Sequence, residues 1–298
     1  MKQGLTLNRF GFSVRSAAVR CGAIMLGFTV LWTASAPDVR AQQHARSNRL
    51  IEALEAGQPA MTGDTWIFID REHRPYVIEE IQATLNKLFA NKNEKGQVTV
   101  APMVRIPMEG DQESGWAIKQ VLERGAMGIV IPHVETRKDI LRIVSGMRYP
   151  NQQGAKYPNP PGRRGCGCSG GSGWGLKTTA EYLKVADVWP LNPEGELFFM
   201  PMIETEAAVK NINEILDTPG VGGPLIGPSD LSMSMGYGPR DPAKRAPAVE
   251  EAISTVARAC TAKKKYCGMV TWNEAETQEY LKAGFKFIFT TYRPNSSM

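Results

Sequence analysis

The chain has 298 residues, 42% of them hydrophobic, with 29 glycines, 20 prolines, five cysteines and a formal net charge of +5. That much apolar material over that length supports one large buried core and excludes disordered, fibrous and disulfide-scaffold classes. Most of the positive charge belongs to the first 41 residues, where Lys2, Arg9, Arg15, Arg20 and Arg40 are offset only by Asp38; the remainder carries no basic patch of the kind nucleic acid requires.

Those first residues run from basic to the uncharged stretch Cys21 to Pro37 and then to Val39-Arg40-Ala41. This is the pattern of a secretory signal peptide, with cleavage expected after Ala41. The apolar run is shorter than the roughly 20 residues a bilayer requires, and an uncleaved membrane anchor is the alternative. The expectation is an exported, periplasmic domain over residues 42–298, free of the membrane once the signal is cleaved.

From there short apolar runs alternate with helix-like stretches. An amphipathic helix over 46–56 leads to the weak strand GQPAM (57–61), and no helix fits before WIFID (66–70). Then come a helix over 77–90, VTVAPMVRIP (98–107), a helix over 114–124, MGIVIPHV (127–134) and a helix over 136–147. Residues 148–175 are rich in Gly and Pro and too long for a plain connector, which suggests a lid or binding loop. The alternation resumes with a helix over 178–187, LFFMPMIE (197–204), a helix over 205–216 and GVGGPLIGP (220–228). It closes with a helix over 246–264, YCGMVTW (266–272), a helix over 273–283 and FKFIFTTY (285–292). Seven clear strands, each almost continuously apolar, read as strands covered on both faces. The pattern predicts an α/β fold, a (β/α)8 TIM barrel with a reduced first β/α unit, over a doubly wound open sheet.

In such a barrel the carboxyl ends of the strands converge on one mouth. Those ends supply Asp70 and His73, Arg105, His133, Glu204 and Asp230. Glu204 and Asp230 are hard oxygen donors that could share one divalent cation, with the sparse ligation that suits Mg²⁺ or Mn²⁺. Each also has a plainer reading: both acids precede helices and could cap them, Arg105 could pair with a structural acid, and His73 and His133 could be ordinary rim or supporting residues.

WIFIDREHRP, VRIP, IKQVLERGAMGIVIPHVET, MRYP followed by RRGCG, MIET and GVGGPLIGPSDLSMSMG resemble, in that order, the HpcH/HpaI aldolase family of metal-dependent class II pyruvate aldolases. The resemblance runs from about Asn48 to Tyr292. It implies a (β/α)8 barrel that cleaves or forms 4-hydroxy-2-oxo acids through a pyruvate enolate, releasing pyruvate and an aldehyde. It places the metal (Mg²⁺ or Mn²⁺, with Co²⁺ as a further option) on Glu204 and Asp230. Arg105 then faces the keto oxygen, and His73, oriented by Asp70, is the base. Glu72 points elsewhere. Pro228, Ser229, Gly167 and Cys168 help seat the substrate carboxylate.

The chain departs from the family pattern in having Met202 where Gln is common and Cys168 where Ser is common. Tyr149, Tyr157, Pro160, Pro161 and Trp174 are candidate walls of an aldehyde pocket, and a homo-oligomer is left open. The alternatives to an aldolase are an oxaloacetate decarboxylase or acyl-CoA lyase using the same enolate, or an exported oxo-acid-binding protein without turnover. Cys166 and Cys168 read first as thiols of a glycine loop, with metal binding or a bridge as the other options.

Overall fold

The computed structural model describes residues 45–94, 96–239 and 246–290; the signal peptide expected over 1–41 lies outside them. Helix α1 (Arg49–Glu55) leads into β1 (Ala60–Met61) and β2 (Trp66–Asp70). Then follow α2 (Ile78–Ala90), β3 (Ala101–Arg105), α3 (Gly115–Glu123), β4 (Gly128–Ile131), α4 (Arg137–Met147), α5 (Thr179–Val185), β5 (Val188–Trp189) and β6 (Leu197–Ile203). The chain continues through α6 (Glu206–Lys210), α7 (Ile212–Asp217), β7 (Leu225–Ile226), α8 (Pro228–Ser234), α9 (Pro247–Ala262), β8 (Gly268–Thr271), α10 (Glu274–Lys282) and β9 (Phe287–Thr290).

Eight strands pair in parallel in the order β1-β9-β8-β7-β6-β4-β3-β2, with the short β5 attached to the start of β6. The two ends of that path meet through a single bridge between Thr62 and Trp66, which nearly closes a barrel. The first unit is reduced, as the sequence suggested. β1 passes to β2 through a turn in which the Gly63 N–H donates to the Trp66 carbonyl, and the Trp66 indole donates to the Ala60 carbonyl at 3.2 Å.

β3, β4, β6 and β8 are buried at every position because the barrel interior lies on one side and the helices on the other. Trp66, Phe198 and Phe287 meet edge to face inside. Gly268 is required there, because any Cβ would overlap the Phe287 ring.

Two expected elements differ. The single helix over 205–216 is broken at Asn211, whose backbone ends α6 and starts α7 while its side-chain amide donates to the Glu135 carbonyl at 3.0 Å. The strand expected over 220–228 shrinks to Leu225–Ile226, since Pro228 sits at the first position of α8, where a missing N–H costs nothing. The cysteine reading is also corrected. Cys166 pairs with Cys168 and Cys260 with Cys267, at Cα separations of 4.7 and 6.2 Å, within disulfide range.

The amino end of the barrel is plugged by Asn48. Its amide donates to the carbonyls of Met127 and Glu196, its Oδ1 caps α1, and its backbone N–H donates to the Glu196 carboxylate at 2.7 Å. Asn48→Ala removes the cap and the donor of two buried carbonyls, so urea unfolding should show a loss of about 2–4 kcal/mol.

Candidate active site

At the opposite end, β2 and β3 pair so that Asp70 lies beside Arg105. Arg105 is 8% exposed, and its guanidinium is held by several partners. Nε donates to Asp70 Oδ1 at 2.9 Å, Nη1 lies 2.6 Å from Glu72 Oε2 and 3.7 Å from the Met202 sulfur, and the group covers the Phe68 ring at 5.1 Å. Burial alone would raise the Asp70 pKa, but the hydrogen bond and charge of Arg105 outweigh it and hold the carboxyl below its usual range.

Glu72 is therefore part of the cluster, which corrects the expectation that it points elsewhere. β2 ends at Asp70 and the chain bends at Glu72, whose N–H donates to Asp70 Oδ1, and this turn swings the Glu72 carboxylate back to Arg105. Asp70 does not hydrogen-bond His73; its Oδ1 serves Arg105 and the Glu72 N–H. The acid nearest the His73 ring is Glu72, at 3.6 Å, and the ring is mostly exposed at the rim.

On the neighbouring strands, β6 delivers Met202 and then Glu204, which is 2% exposed. Gly227, before α8, can only be glycine because a Cβ would strike the Glu204 carboxylate. α8 brings half-buried Ser229 and Asp230 in its first turn. Burial, then the negative charges of Asp230 and Glu72, push the Glu204 pKa up to about 8, against the His133 N–H and Arg105, which lower it. The His133 N–H donates to Glu204 Oε2 at 3.2 Å, and the imidazole Nε2 lies 3.9 Å from the same oxygen. The structure thus gathers Asp70, Glu72, Arg105, Met202, His133, Glu204 and Asp230, with His73 at the edge.

A carboxyl whose folded pKa lies above its unfolded value near 4.5 holds its proton more tightly in the native state. Its contribution to stability is complete at low pH and is lost as pH rises towards about 8. Metal-free protein should therefore lose stability relative to Glu204→Gln between about pH 5 and 8, by a few kcal/mol at about 1.4 kcal/mol per unit. Thermal unfolding of both proteins across that range checks this.

Gly167 and Cys168 lie elsewhere, and their expected part in seating a carboxylate is corrected. The Gly167 N–H donates to Glu123 at the end of α3, and Ser169 Oγ donates to the Glu123 carbonyl. The proposed aldehyde walls are displaced too. The Trp174 indole donates to the Gly125 carbonyl at the amino end of β4. Arg148 binds the Tyr157 and Pro160 carbonyls together with Asp187, just before β5. The segment follows the outside of α3 down to the wrong end of the barrel.

A parallel βα barrel carrying acids and an arginine at its strand ends is an enzyme architecture. The HpcH/HpaI aldolase/citrate lyase family model matches residues 50–293, and the chain belongs to that family. It is 32% identical over 238 residues to a hydroxypyruvate/pyruvate aldolase of Agrobacterium fabrum, covering 80% of this chain and 78% of the relative. It is also 32% identical over 229 residues to the 2-keto-3-deoxy-L-rhamnonate aldolase of Escherichia coli K12, covering 77% and 74%. Among solved structures, an HpcH/HpaI aldolase/citrate lyase family protein from Burkholderia cenocepacia superposes with a TM-score of 0.67 at 25% identity, over 82% of this chain and 92% of that one. The protein is a carbon–carbon lyase of the aldolase class.

Proposed function

We propose that this chain cleaves 4-hydroxy-2-oxo acids to pyruvate and an aldehyde with the help of Mg²⁺, Mn²⁺ or Co²⁺ held by Glu204 and Asp230. The observation that carries the reading is electrostatic. Asp70 and Glu72 both pair with the Arg105 guanidinium, and Glu204 is buried beside the negative charges of Asp230 and Glu72. Such a set favours a divalent cation. Among the described residues no three His, Cys, Asp or Glu side chains surround a common point. Two carboxylates with water and a substrate chelate are nevertheless a sufficient set for a hard cation, so the residues fit the ion.

The cation supplies positive charge beside the oxygen on which the enolate charge develops. Arg105 supplies a second charge there, fixed in advance by Asp70 and Glu72, and so stabilises the transition state more than the ground state. His73 takes the proton of the 4-hydroxyl as the bond between carbons 3 and 4 breaks, with Glu72 as the acid beside its ring. The N–H groups that open α8 and the Ser229 hydroxyl hold the substrate carboxylate, with Pro228 setting the helix start. We assign no such role to Gly167 or Cys168.

Pyruvate release from a panel of 4-hydroxy-2-oxo acids, with oxaloacetate included, tests the reading. Release that depends on added divalent ion is expected. Full turnover in excess chelator overturns the metal, and carbon dioxide without aldehyde overturns the aldol reaction in favour of decarboxylation. We further propose export to the periplasm, supported by the pairing of Cys166 with Cys168 and of Cys260 with Cys267, which suits an oxidising compartment. Cell fractionation checks it.

A further inference from the structure

We infer that Cys166 and Cys168 form a redox-active pair that exchanges disulfides with cysteine pairs on extended polypeptide segments, at a site separate from the lyase centre. Among the described residues the chain holds two disulfides, of opposite character. Cys260 and Cys267 are 2% and 3% exposed and tie the last turn of α9 to the start of β8, so their burial keeps out a thiol from another molecule. Cys166 is exposed and Cys168 half-buried, on a glycine-rich loop. The Cys166–Cys168 bridge also does little for the fold. It joins cysteines at a sequence separation of 2, against 7 for the buried pair, and the constraint a bridge puts on the unfolded chain grows with the loop it closes. An accessible bridge with little structural duty is of the labile kind that takes part in exchange.

The loop is built for repeated opening and closing. Cys168 holds φ +50°, where residues with a Cβ are uncommon, and opening the ring frees that backbone to relax. The loop is fastened independently of the bridge: the Gly167 N–H donates to Glu123 Oε1 at 2.9 Å and Ser169 Oγ to the Glu123 carbonyl at 3.1 Å. The two sulfurs therefore stay within reach of each other after reduction. Cys168 also lines a surface cleft of about 320 Å³ with Gly170, Gly171, Leu176 and Lys177, and the two glycines leave main chain accessible to a polypeptide lying there. Glu123 ends α3, which runs from the mouth to the amino end of the barrel, so the pair sits away from the acids and Arg105.

In the exchange a substrate thiolate attacks Cys166 Sγ, the more accessible sulfur. The Cys166–Cys168 bond breaks, a bond from the substrate sulfur to Cys166 forms, and the electron pair leaves on Cys168 Sγ, which takes a proton from water. The second substrate thiolate then attacks its partner sulfur in this mixed disulfide and displaces Cys166. The substrate has lost two electrons and two protons and carries a disulfide, while the chain holds them as a pair of thiols. A small-molecule disulfide, glutathione disulfide, restores the bridge and is itself reduced to two thiols.

The test uses the full oxidised chain and its Cys166→Ser/Cys168→Ser variant, with glutathione buffers and a synthetic peptide carrying two cysteines as probes. Equilibration in graded buffers, acid quenching, alkylation and peptide mass spectrometry read each bridge by itself. Cys166–Cys168 should open at a ratio of squared thiol to disulfide about 10³-fold lower than Cys260–Cys267 requires. With glutathione disulfide as oxidant, the wild-type chain should close the peptide disulfide about 10-fold or more faster than glutathione disulfide alone. The variant should fall to that background, with pyruvate release equal to wild type. The two wild-type measurements decide the matter even where circular dichroism shows the variant misfolded. Opening of both bridges at the same ratio, or peptide oxidation no faster than background, overturns the inference and leaves Cys166–Cys168 a plain link. Loss of pyruvate release in a variant with wild-type circular dichroism overturns the separation of this site from the lyase centre.

Discussion

Glu204→Ala should lower metal-dependent pyruvate release by about 10³-fold or more, some 4 kcal/mol of transition-state stabilisation, without unfolding the protein. The separation of these two effects follows from the burial of this carboxyl. Glu204 is enclosed beside Asp230 and Glu72, and its raised pKa means that the native fold bears a cost for keeping it ionised at pH 8. Removing the charge in Glu204→Gln, which keeps the shape, should leave the metal-free protein as stable as wild type or more so, while activity falls as in Glu204→Ala. A coupled assay for pyruvate and thermal unfolding of the same samples read both quantities. Retention of more than a tenth of wild-type turnover in either variant removes Glu204 from the proposed mechanism. Collapse of stability in Glu204→Gln would mean that the carboxylate holds the fold together.

The barrel was legible because strands covered on both faces are written as unbroken apolar runs, and seven such runs are long enough to stand out. The eighth was faint for a physical reason. β1 pairs through only Ala60 and Met61, so little side-chain burial marks it. Strand-end counting placed Asp70, Arg105 and Glu204 at the mouth because chain direction alone fixes which end of a parallel strand meets it, whereas Asp230 lies beyond β7, in the first turn of α8. It could not find how they partner. Arg105 takes both Asp70 and Glu72, a choice made by the register of β2 on β3 and invisible in either segment alone. The longest error concerned residues 149–175. Loop length indicates that a segment has its own structure, but not to which end of the barrel it goes. Here that is settled by distant contacts such as the Trp174 indole on Gly125 and the Lys92 ammonium on the Gly173 carbonyl.

Arg105→Met keeps the length of the side chain and removes its charge, and it should reduce turnover by about 10²–10³-fold. Unlike the loss of Glu204, this change should also destabilise the metal-free protein, by about 1–3 kcal/mol given that both acids it pairs with are partly exposed. The pH dependence distinguishes this from a packing defect. In wild type, Arg105 holds the Asp70 pKa down against the opposing effect of burial. That contribution is present above the unfolded value near 4 and fades as pH falls below it. The stability gap between the two proteins should accordingly be widest near neutrality and narrow in acid. Arg105→Lys should fall between them, because one ammonium cannot span Asp70 and Glu72 while covering Phe68. Binding and turnover should also part company. Removing a positive charge from among four carboxylates lets Mn²⁺ bind at least as tightly in Arg105→Met as in wild type, so a slow enzyme with an intact cation site is the expected result. Calorimetric loss of Mn²⁺ binding in that variant would instead make Arg105 a support of the cation site, and the charge it presents to the enolate oxygen would no longer explain the lost rate.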